Sequence, residues 1–141
     1  MPDGPESEPL GYLLYRVAAA LRGDLTATVL EPLGLTFPQY LCMRMLYRTP
    51  GRSNADLARE TGVSPQAMNM VLRSLQERGS VHRPATVNSG RSLPAELSSQ
   101  GRAELARIDA GVQATEQRLT DGLTDAQKRM FREILVTLGS D

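Results

Sequence analysis

Polar side chains that can read nucleic-acid bases recur at one-turn spacing between Gln66 and Arg73. Gln66, Asn69 and Arg73 lie three and four residues apart, so on a helix they project from one face. Asparagine can make paired hydrogen bonds to adenine, arginine can reach guanine or a phosphate, and the neighbouring Met70 can contact a thymine methyl. This face carries no acid before Glu77. The row predicts contact with the major groove of DNA, and the alternative is an ordinary helical hairpin with a polar outer face.

The stretch from Ser53 to Gly79 can position this row. Ser53 and Ser64 are each suited to cap a helix, and Pro65 fits the first position of the second helix. Gly62 and Gly79 provide the two helix ends. Two helices joined by so short a turn follow the helix-turn-helix plan. Free backbone amides at the start of the second helix, near Ser64 and Pro65, can bind a phosphate. Ser53, Ser64 and Pro65 are all predicted to contact DNA.

A small hairpin is predicted directly after this second helix. The segments "SVHR" and "SLPAEL" resemble two short strands around a tip rich in Pro, Asn, Ser and Gly. Pro94 restricts the second strand to an edge or a bulge, so the hairpin is small. Arg91 at the tip can enter a minor groove, with Arg83 and Ser89 as further DNA contacts. The alternative for Arg91 is a solvated loop charge.

The distribution of charge favours a polyanionic partner, although the net charge of the 141-residue chain is zero. Residues 41–91 contain eight arginines and three acids, a net charge of +5, and the rest of the chain carries −5. A contiguous basic segment within an acidic remainder is typical of a nucleic-acid-binding patch. A solvated surface is the alternative that charge alone leaves open.

Four further helices are indicated around this segment. Apolar residues at helical spacing predict a first helix over 10–30, and Thr36 with Gln39 forms a capping box that opens the second. Ser98 caps a long helix that extends to about residue 121, and Thr124 opens the last helix. The predicted fold is mainly α-helical with a small β-hairpin wing. It comprises a disordered tail (1–9), dimerisation helices (10–35 and 98–141) and a winged helix-turn-helix DNA-binding lobe (36–97).

The apolar stripes of the first, fifth and sixth helices exceed what the small lobe can cover. Uncovered apolar surface usually meets a partner, so we expect a two-fold homodimer built from these helices. The alternative is a monomeric bundle in which the three helices cover one another.

Four segments together resemble the MarR family of bacterial winged helix-turn-helix regulators, over about residues 10–139. They are "LGLTFPQYLCMRML", "PGRSNADLARETGVSPQAMNMVLRSLQERGSVHRP", "SGRSLPAELSSQGRAEL" and "LTDAQKRMFREIL". The resemblance implies an obligate homodimer that binds pseudopalindromic operators in double-stranded DNA, usually as a repressor, often released by phenolic or other small ligands. One departure affects the wing: many members have an acidic residue before the wing arginine, whereas Gly90 precedes Arg91 here.

The same resemblance implies a crevice for aromatic acids between the dimerisation and DNA-binding parts. Arg16 can pair with a carboxylate while Tyr12 or Tyr47 lines an apolar wall. More ordinary roles are a tyrosine that bridges core and solvent and an arginine paired with a protein carboxylate.

Other functional classes find little support in the sequence. The single cysteine, Cys42, excludes a disulfide framework. Its apolar segment predicts a buried, inert thiol rather than the peroxide sensor that some family members carry. His82 has no Cys or His partners, and no metal or cofactor is predicted.

Neither an enzyme nor a membrane protein is predicted. The sequence has no phosphate-binding loop, dinucleotide fingerprint or Cys–His set. It has no apolar run long enough to span a membrane and an acidic start unlike a signal peptide, so a cytoplasmic protein is expected. The remaining alternative to a DNA-binding regulator is a helical protein-interaction adaptor without DNA affinity.

Overall fold

The computed structural model describes residues 4–84 and 94–140. It confirms a mainly helical chain with one small hairpin. The elements are α1 (Leu10–Leu25), α2 (Phe37–Arg48), α3 (Asn54–Thr61), α4 (Pro65–Arg78), β1 (Val81–His82), β2 (Glu96–Leu97), α5 (Ser99–Leu119) and α6 (Asp125–Leu138).

The helix starts follow the predicted caps, because each cap depends only on neighbouring residues. Ser64 Oγ accepts the backbone N–H of Ala67 at 3.1 Å, and Ser98 Oγ accepts that of Gly101 at 3.0 Å. The Thr36–Gln39 and Thr124–Gln127 pairs both form complete capping boxes. These bonds satisfy amides that the first helical turn leaves free.

The connection from α1 to α2 differs in detail from the single helix predicted over 10–30. The α-helix ends at Leu25 and continues as a π-helical turn (Thr26–Leu30) and a 3-10 turn (Glu31–Leu33). Pro32 has no N–H, so it cannot donate to the carbonyl four residues back. Gly34 ends the segment with a φ of 72°, a conformation that favours glycine. Within the segment predicted as a disordered tail, Pro5–Ser7 form one exposed 3-10 turn.

The hydrophobic core lies where α2, α3, α4 and α5 meet the hairpin. Its most deeply buried large side chains are Leu30, Met43, Leu57, Met68, Leu72, Leu75 and Ile108. The strands β1 and β2 pair antiparallel, with Val81 opposite Leu97 and His82 opposite Glu96. The hairpin therefore attaches to the core through one side and leaves its other side in solvent.

The start of α5 approaches the backbone of Ser80, which follows α4, at a distance that only glycine allows. A Cβ atom on Gly101 would lie 2.1 Å from the backbone oxygen of Ser80. This close approach fixes the start of α5 against the residues that follow α4. Within 4–84 and 94–140, no helix has both the length and the apolar character needed to cross a membrane.

Candidate nucleic-acid interface

Helix α4 is held by apolar contacts along one side. Met68, Leu72 and Leu75 are at most 1% exposed, and Val71 packs against the same core. These residues form one buried stripe along α4. Gly79 adopts a φ of 87° and ends the helix. Because one side of α4 is packed in the core, the opposite face has a fixed orientation relative to the rest of the domain.

The opposite face of α4 carries the predicted row in solvent. Gln66, Asn69, Met70 and Arg73 are all exposed. Met70 is 71% exposed, although methionine side chains are usually buried in a monomeric domain. Ser64 and Pro65 lie at the start of the same helix. The structure thus brings six of the predicted DNA-contacting residues together on one helix.

Asn54 links this row to the base of the hairpin, a role that sequence reasoning did not assign. Asn54 Nδ2 donates a hydrogen bond to Asn69 Oδ1 at 2.6 Å. Arg83 Nη2 donates to Asn54 Oδ1 at 3.2 Å. These three residues come from different segments, so no spacing in the sequence reveals that their side chains are hydrogen-bonded to one another.

Ser53 acts first as a helix cap. Its hydroxyl accepts the backbone N–H of Asp56 at 3.1 Å, and the Asp56 carboxylate accepts the N–H of Ser53 at 3.3 Å. Hydrogen bonds from the side chain and backbone of Ser53, followed by the Arg59 guanidinium, hold the pKa of Asp56 below its ordinary value. The Ser53 hydroxyl thus accepts one hydrogen bond from Asp56 and donates another to its carboxylate, both within the cap.

Ion pairs reduce the charge that the basic segment presents. Two of its three acids pair within the segment, Glu60 with Arg52 and Asp56 with Arg59. Two further arginines pair with carboxylates of α5 instead: Arg44 with Asp109 and Arg78 with Glu104. In the part of the chain that the structure describes, the segment's arginines without an ion-pair partner are Arg48, Arg73 and Arg83. Of these three, Arg73 belongs to the exposed row on α4 and Arg83 to the hairpin base.

The hairpin is described only at its base. Ser89 and Arg91, the predicted wing contacts, lie outside the described residues. His82 Nε2 lies 3.6 Å from Glu96 Oε2 across the two strands, and both side chains are exposed. Among the residues that the structure describes, no three His, Cys, Asp or Glu side chains are grouped to hold a metal ion.

The three predicted ligand residues do not line one cavity within a single chain. The Arg16 guanidinium lies 5.9 Å from the centre of the Tyr12 ring, an arrangement that permits a cation–π contact. Tyr47 lines a separate cavity of about 560 Å³ between α2 and the start of α5, together with Arg48 and Arg102. Tyr12 and Tyr47 therefore lie in different places, although α1 and α2 are neighbours in the sequence.

Cys42 is fully buried in α2, as predicted. Burial raises the pKa of its thiol to about 12. Because the thiolate is the reactive form, burial and the raised pKa both disfavour reaction of this thiol.

Helices α1 and α6 expose the apolar surplus that the sequence predicted. Helix α6 buries none of its residues, and α1 buries only Leu25. The two helices line an apolar cavity of about 340 Å³ that also includes Leu119 of α5. The large exposed apolar side chains of these two helices are Leu10, Tyr12, Leu14, Tyr15, Val17, Met130, Ile134, Leu135, Val136 and Leu138.

Comparisons with known proteins agree with this architecture. A model described as the MarR family matches residues 33–92. Over 136 residues the chain is 54% identical to the HTH-type transcriptional repressor Rv2887 of Mycobacterium tuberculosis (strain ATCC 25618 / H37Rv), which covers 96% of this chain and 97% of that repressor.

Two solved structures of the M. tuberculosis protein superpose closely. The complex with salicylic acid gives a TM-score of 0.82 at 53% identity, covering 95% of this chain and 98% of the other. The complex with DNA gives a TM-score of 0.80 at 49% identity, covering 95% and 100%. Identity at this level over nearly the whole chain confirms the family and the regulator class expected from the sequence. This chain belongs to the MarR family of winged helix-turn-helix transcriptional regulators.

Proposed function

We propose that two copies of this chain form a cytoplasmic repressor, without enzymatic activity, that binds a pseudopalindromic DNA operator and releases it when an aromatic acid binds. The observation that carries the DNA part is the exposed row on α4. Asn69, Met70 and the unpaired Arg73 project from a helix whose other side is fixed in the core. The DNA complex of the 54% identical repressor supports the same assignment.

In this proposal α4 lies in the major groove. Gln66, Asn69, Met70 and Arg73 face base edges, while the amides behind the Ser64 cap meet a phosphate. Ser53 and Pro65 contact the DNA backbone beside the major groove. Arg83, at the hairpin base, with Ser89 and Arg91 in the wing, supplies the contacts outside the major groove.

The partner for the exposed apolar faces of α1 and α6 is a second copy of the chain. Helix α6 buries nothing within one chain, yet it carries five large apolar side chains that are each more than 40% exposed. Burying such a surface stabilises an assembly by about 25 cal/mol per Å² of apolar area. A two-fold dimer presents α4 twice, so the half-sites should be centred about 10 base pairs apart.

Release by an aromatic acid rests on the salicylic acid complex of the M. tuberculosis relative and on residues suited to such a ligand. Arg16 and Tyr12 form one cation–aromatic pair. Tyr47, with Arg48 and Arg102, offers a second combination of ring and cations. A carboxylate can pair with either arginine set while the ligand ring contacts the tyrosine.

The test begins with selection of genomic DNA fragments that bind the purified protein. A recovered pseudopalindrome, bound more tightly than its scrambled duplex and more weakly as salt rises, supports the proposal. Arg73→Ala should weaken operator binding by about 1–3 kcal/mol and reduce the salt slope. Arg107→Ala, which removes an exposed arginine from α5, is the matched control and should bind like the wild type.

Two outcomes would contradict the proposal. No salt-dependent binding of any duplex would favour the protein-interaction adaptor. Equal binding of operator and scrambled DNA would remove the base-reading role of α4. Addition of salicylate to the wild-type complex tests the ligand part separately, and an unchanged operator affinity at millimolar salicylate would refute it.

A further inference from the structure

Asn54 connects the middle of the recognition helix to the hairpin base. It is the first residue of α3 and is partly buried between α4 and the segment after β1. Its Nδ2 lies 2.6 Å from Asn69 Oδ1, and its Oδ1 lies 3.2 Å from Arg83 Nη2. Three polar side chains from three segments therefore form one continuous hydrogen-bond chain.

The chemistry of Arg83 fixes the direction of this chain. A guanidinium has donors only, so the atom of Asn54 that faces it must be the amide oxygen. The Asn54 Nδ2 group then faces Asn69, and a donor there requires the Asn69 oxygen as its acceptor. Arg83 thus determines, through Asn54, which end of the Asn69 amide is turned toward α3.

We propose that Asn54 is a positioning residue that sets the base preference of Asn69, an inference that rests on the proposed DNA-binding function. With Oδ1 turned toward α3, Asn69 offers the groove its Nδ2 donors. These suit base edges with acceptors, above all N7 and O6 of guanine. The paired contact with adenine requires Oδ1 and Nδ2 to face the same base edge. The bond from Asn54 disfavours it, because it holds Oδ1 toward α3 and occupies one of the two lone pairs of that oxygen.

Reversing the polarity of the chain should reverse the preference. In Asn54→Asp the introduced carboxylate still accepts from Arg83 but can no longer donate to Asn69. The Asn69 amide must then turn its Nδ2 toward α3 and its Oδ1 toward the groove, where it accepts from the amino group of adenine or cytosine. A carboxylate at the first helical position is also favourable for α3, so the variant should fold.

The experiment is selection from a duplex library with both half-sites randomised. Asn69→Ala first identifies the base pair that Asn69 reads, because selection weakens there alone. At that position the wild type should select guanine, and Asn54→Asp should shift the guanine-to-adenine ratio about tenfold toward adenine. Asn54→Ala, which breaks the chain without adding charge, should broaden the preference. Ala55→Asp adds the same charge at the exposed neighbouring position and should select as the wild type does.

A merely structural role for Asn54 would lower affinity or stability without changing the selected base. An unaltered base preference in Asn54→Asp, or the same shift in Ala55→Asp, would overturn the inference. The inference would also be overturned if the Asn69→Ala variant kept the wild-type base selection at every position. If the wild type itself selects no sequence, the proposed function fails, and that result is distinguishable from the others.

Discussion

Replacement of Glu104 by glutamine tests how the end of α4 is attached to α5. The Glu104 side chain is 11% exposed and accepts three hydrogen bonds. The donors are Arg78 Nε at 2.7 Å, Ser80 Oγ at 2.8 Å and Gln100 Nε2 at 3.2 Å. Glutamine keeps the shape but has one acceptor oxygen and one amino group, so at least one donor loses its acceptor and the charge on Arg78 loses its partner.

The loss of stability expected for Glu104→Gln lies between two limits. A surface ion pair contributes about 0–1 kcal/mol, whereas removal of one partner from a buried pair costs about 3–5 kcal/mol. The Arg78 side chain is 29% exposed and also donates to the carbonyls of Leu33 and Gly34, so its charge stays partly solvated. We expect Glu104→Gln to lower the free energy of unfolding by about 2 kcal/mol, within the range for charge-assisted hydrogen bonds.

This loss should depend on pH in a defined direction. Partial burial raises the pKa of Glu104, but the hydrogen bonds from Ser80, Arg78 and Gln100 together with the Arg78 charge outweigh it. The net pKa of Glu104 therefore lies below its ordinary value. A carboxyl group with a lowered folded-state pKa stabilises fully above its unfolded pKa and loses that contribution as pH falls through the folded pKa. The difference between wild type and variant should be constant from pH 7 to about pH 5.5 and should shrink below about pH 4.

Urea unfolding followed by circular dichroism measures both effects. Protein concentration must be equal in all samples, since the stability of a dimer depends on it. Glu77→Gln changes an exposed glutamate of α4 and provides the control, with an expected change within about 0.5 kcal/mol. The reasoning would be refuted by a Glu104→Gln variant as stable as this control, or by a difference that persists unchanged at pH 3.

Three further predictions concern packing, thiol chemistry and assembly. Gly101→Ala should destabilise the fold by about 1–3 kcal/mol, because its Cβ would meet a backbone oxygen at 2.1 Å. Gly23→Ala is the control: position 23 has open space around it in α1, so this variant should be neutral or stabilising by up to about 1 kcal/mol. Urea unfolding measures both. Cys42 should fail to react with a chromogenic disulfide reagent in the native protein at pH 8 and react fully in guanidinium chloride, and rapid native labelling would contradict its burial. Ile134→Glu should shift the sedimentation coefficient from dimer to monomer while helicity is retained, whereas Glu133→Ala on the same helix should remain dimeric.

Local signals in the sequence predicted the helix starts and the face of α4. Ser64 and the Thr36–Gln39 pair form their caps with residues three positions away, so spacing alone predicts them. The exposed row on α4 follows from helical periodicity together with a buried stripe of three fully buried residues. These features are determined within about one or two turns of helix.

Contacts between distant segments could not be predicted in the same way. Arg44 and Arg78 contribute to the net charge of the basic segment, yet they pair with acids 65 and 26 residues away. Asn54 lies 15 residues before Asn69, and no periodic pattern connects the start of one helix to the middle of the next. Such pairs depend on how α3, α4 and α5 pack, which the sequence pattern leaves undetermined.

The contacts of Arg78 connect the end of α4 both to α5 and to the connection between α1 and α2. At the end of α4, its guanidinium donates to the carbonyls of Leu33 and Gly34, at 2.6 and 3.3 Å, in the connection between α1 and α2. Its Nε donates to Glu104 of α5. A displacement of α1 or α5 must therefore either move the end of α4 or break these bonds. Under the proposed function, a movement of the end of α4 would change the angle at which Asn69 meets DNA, without any ligand contact to α4.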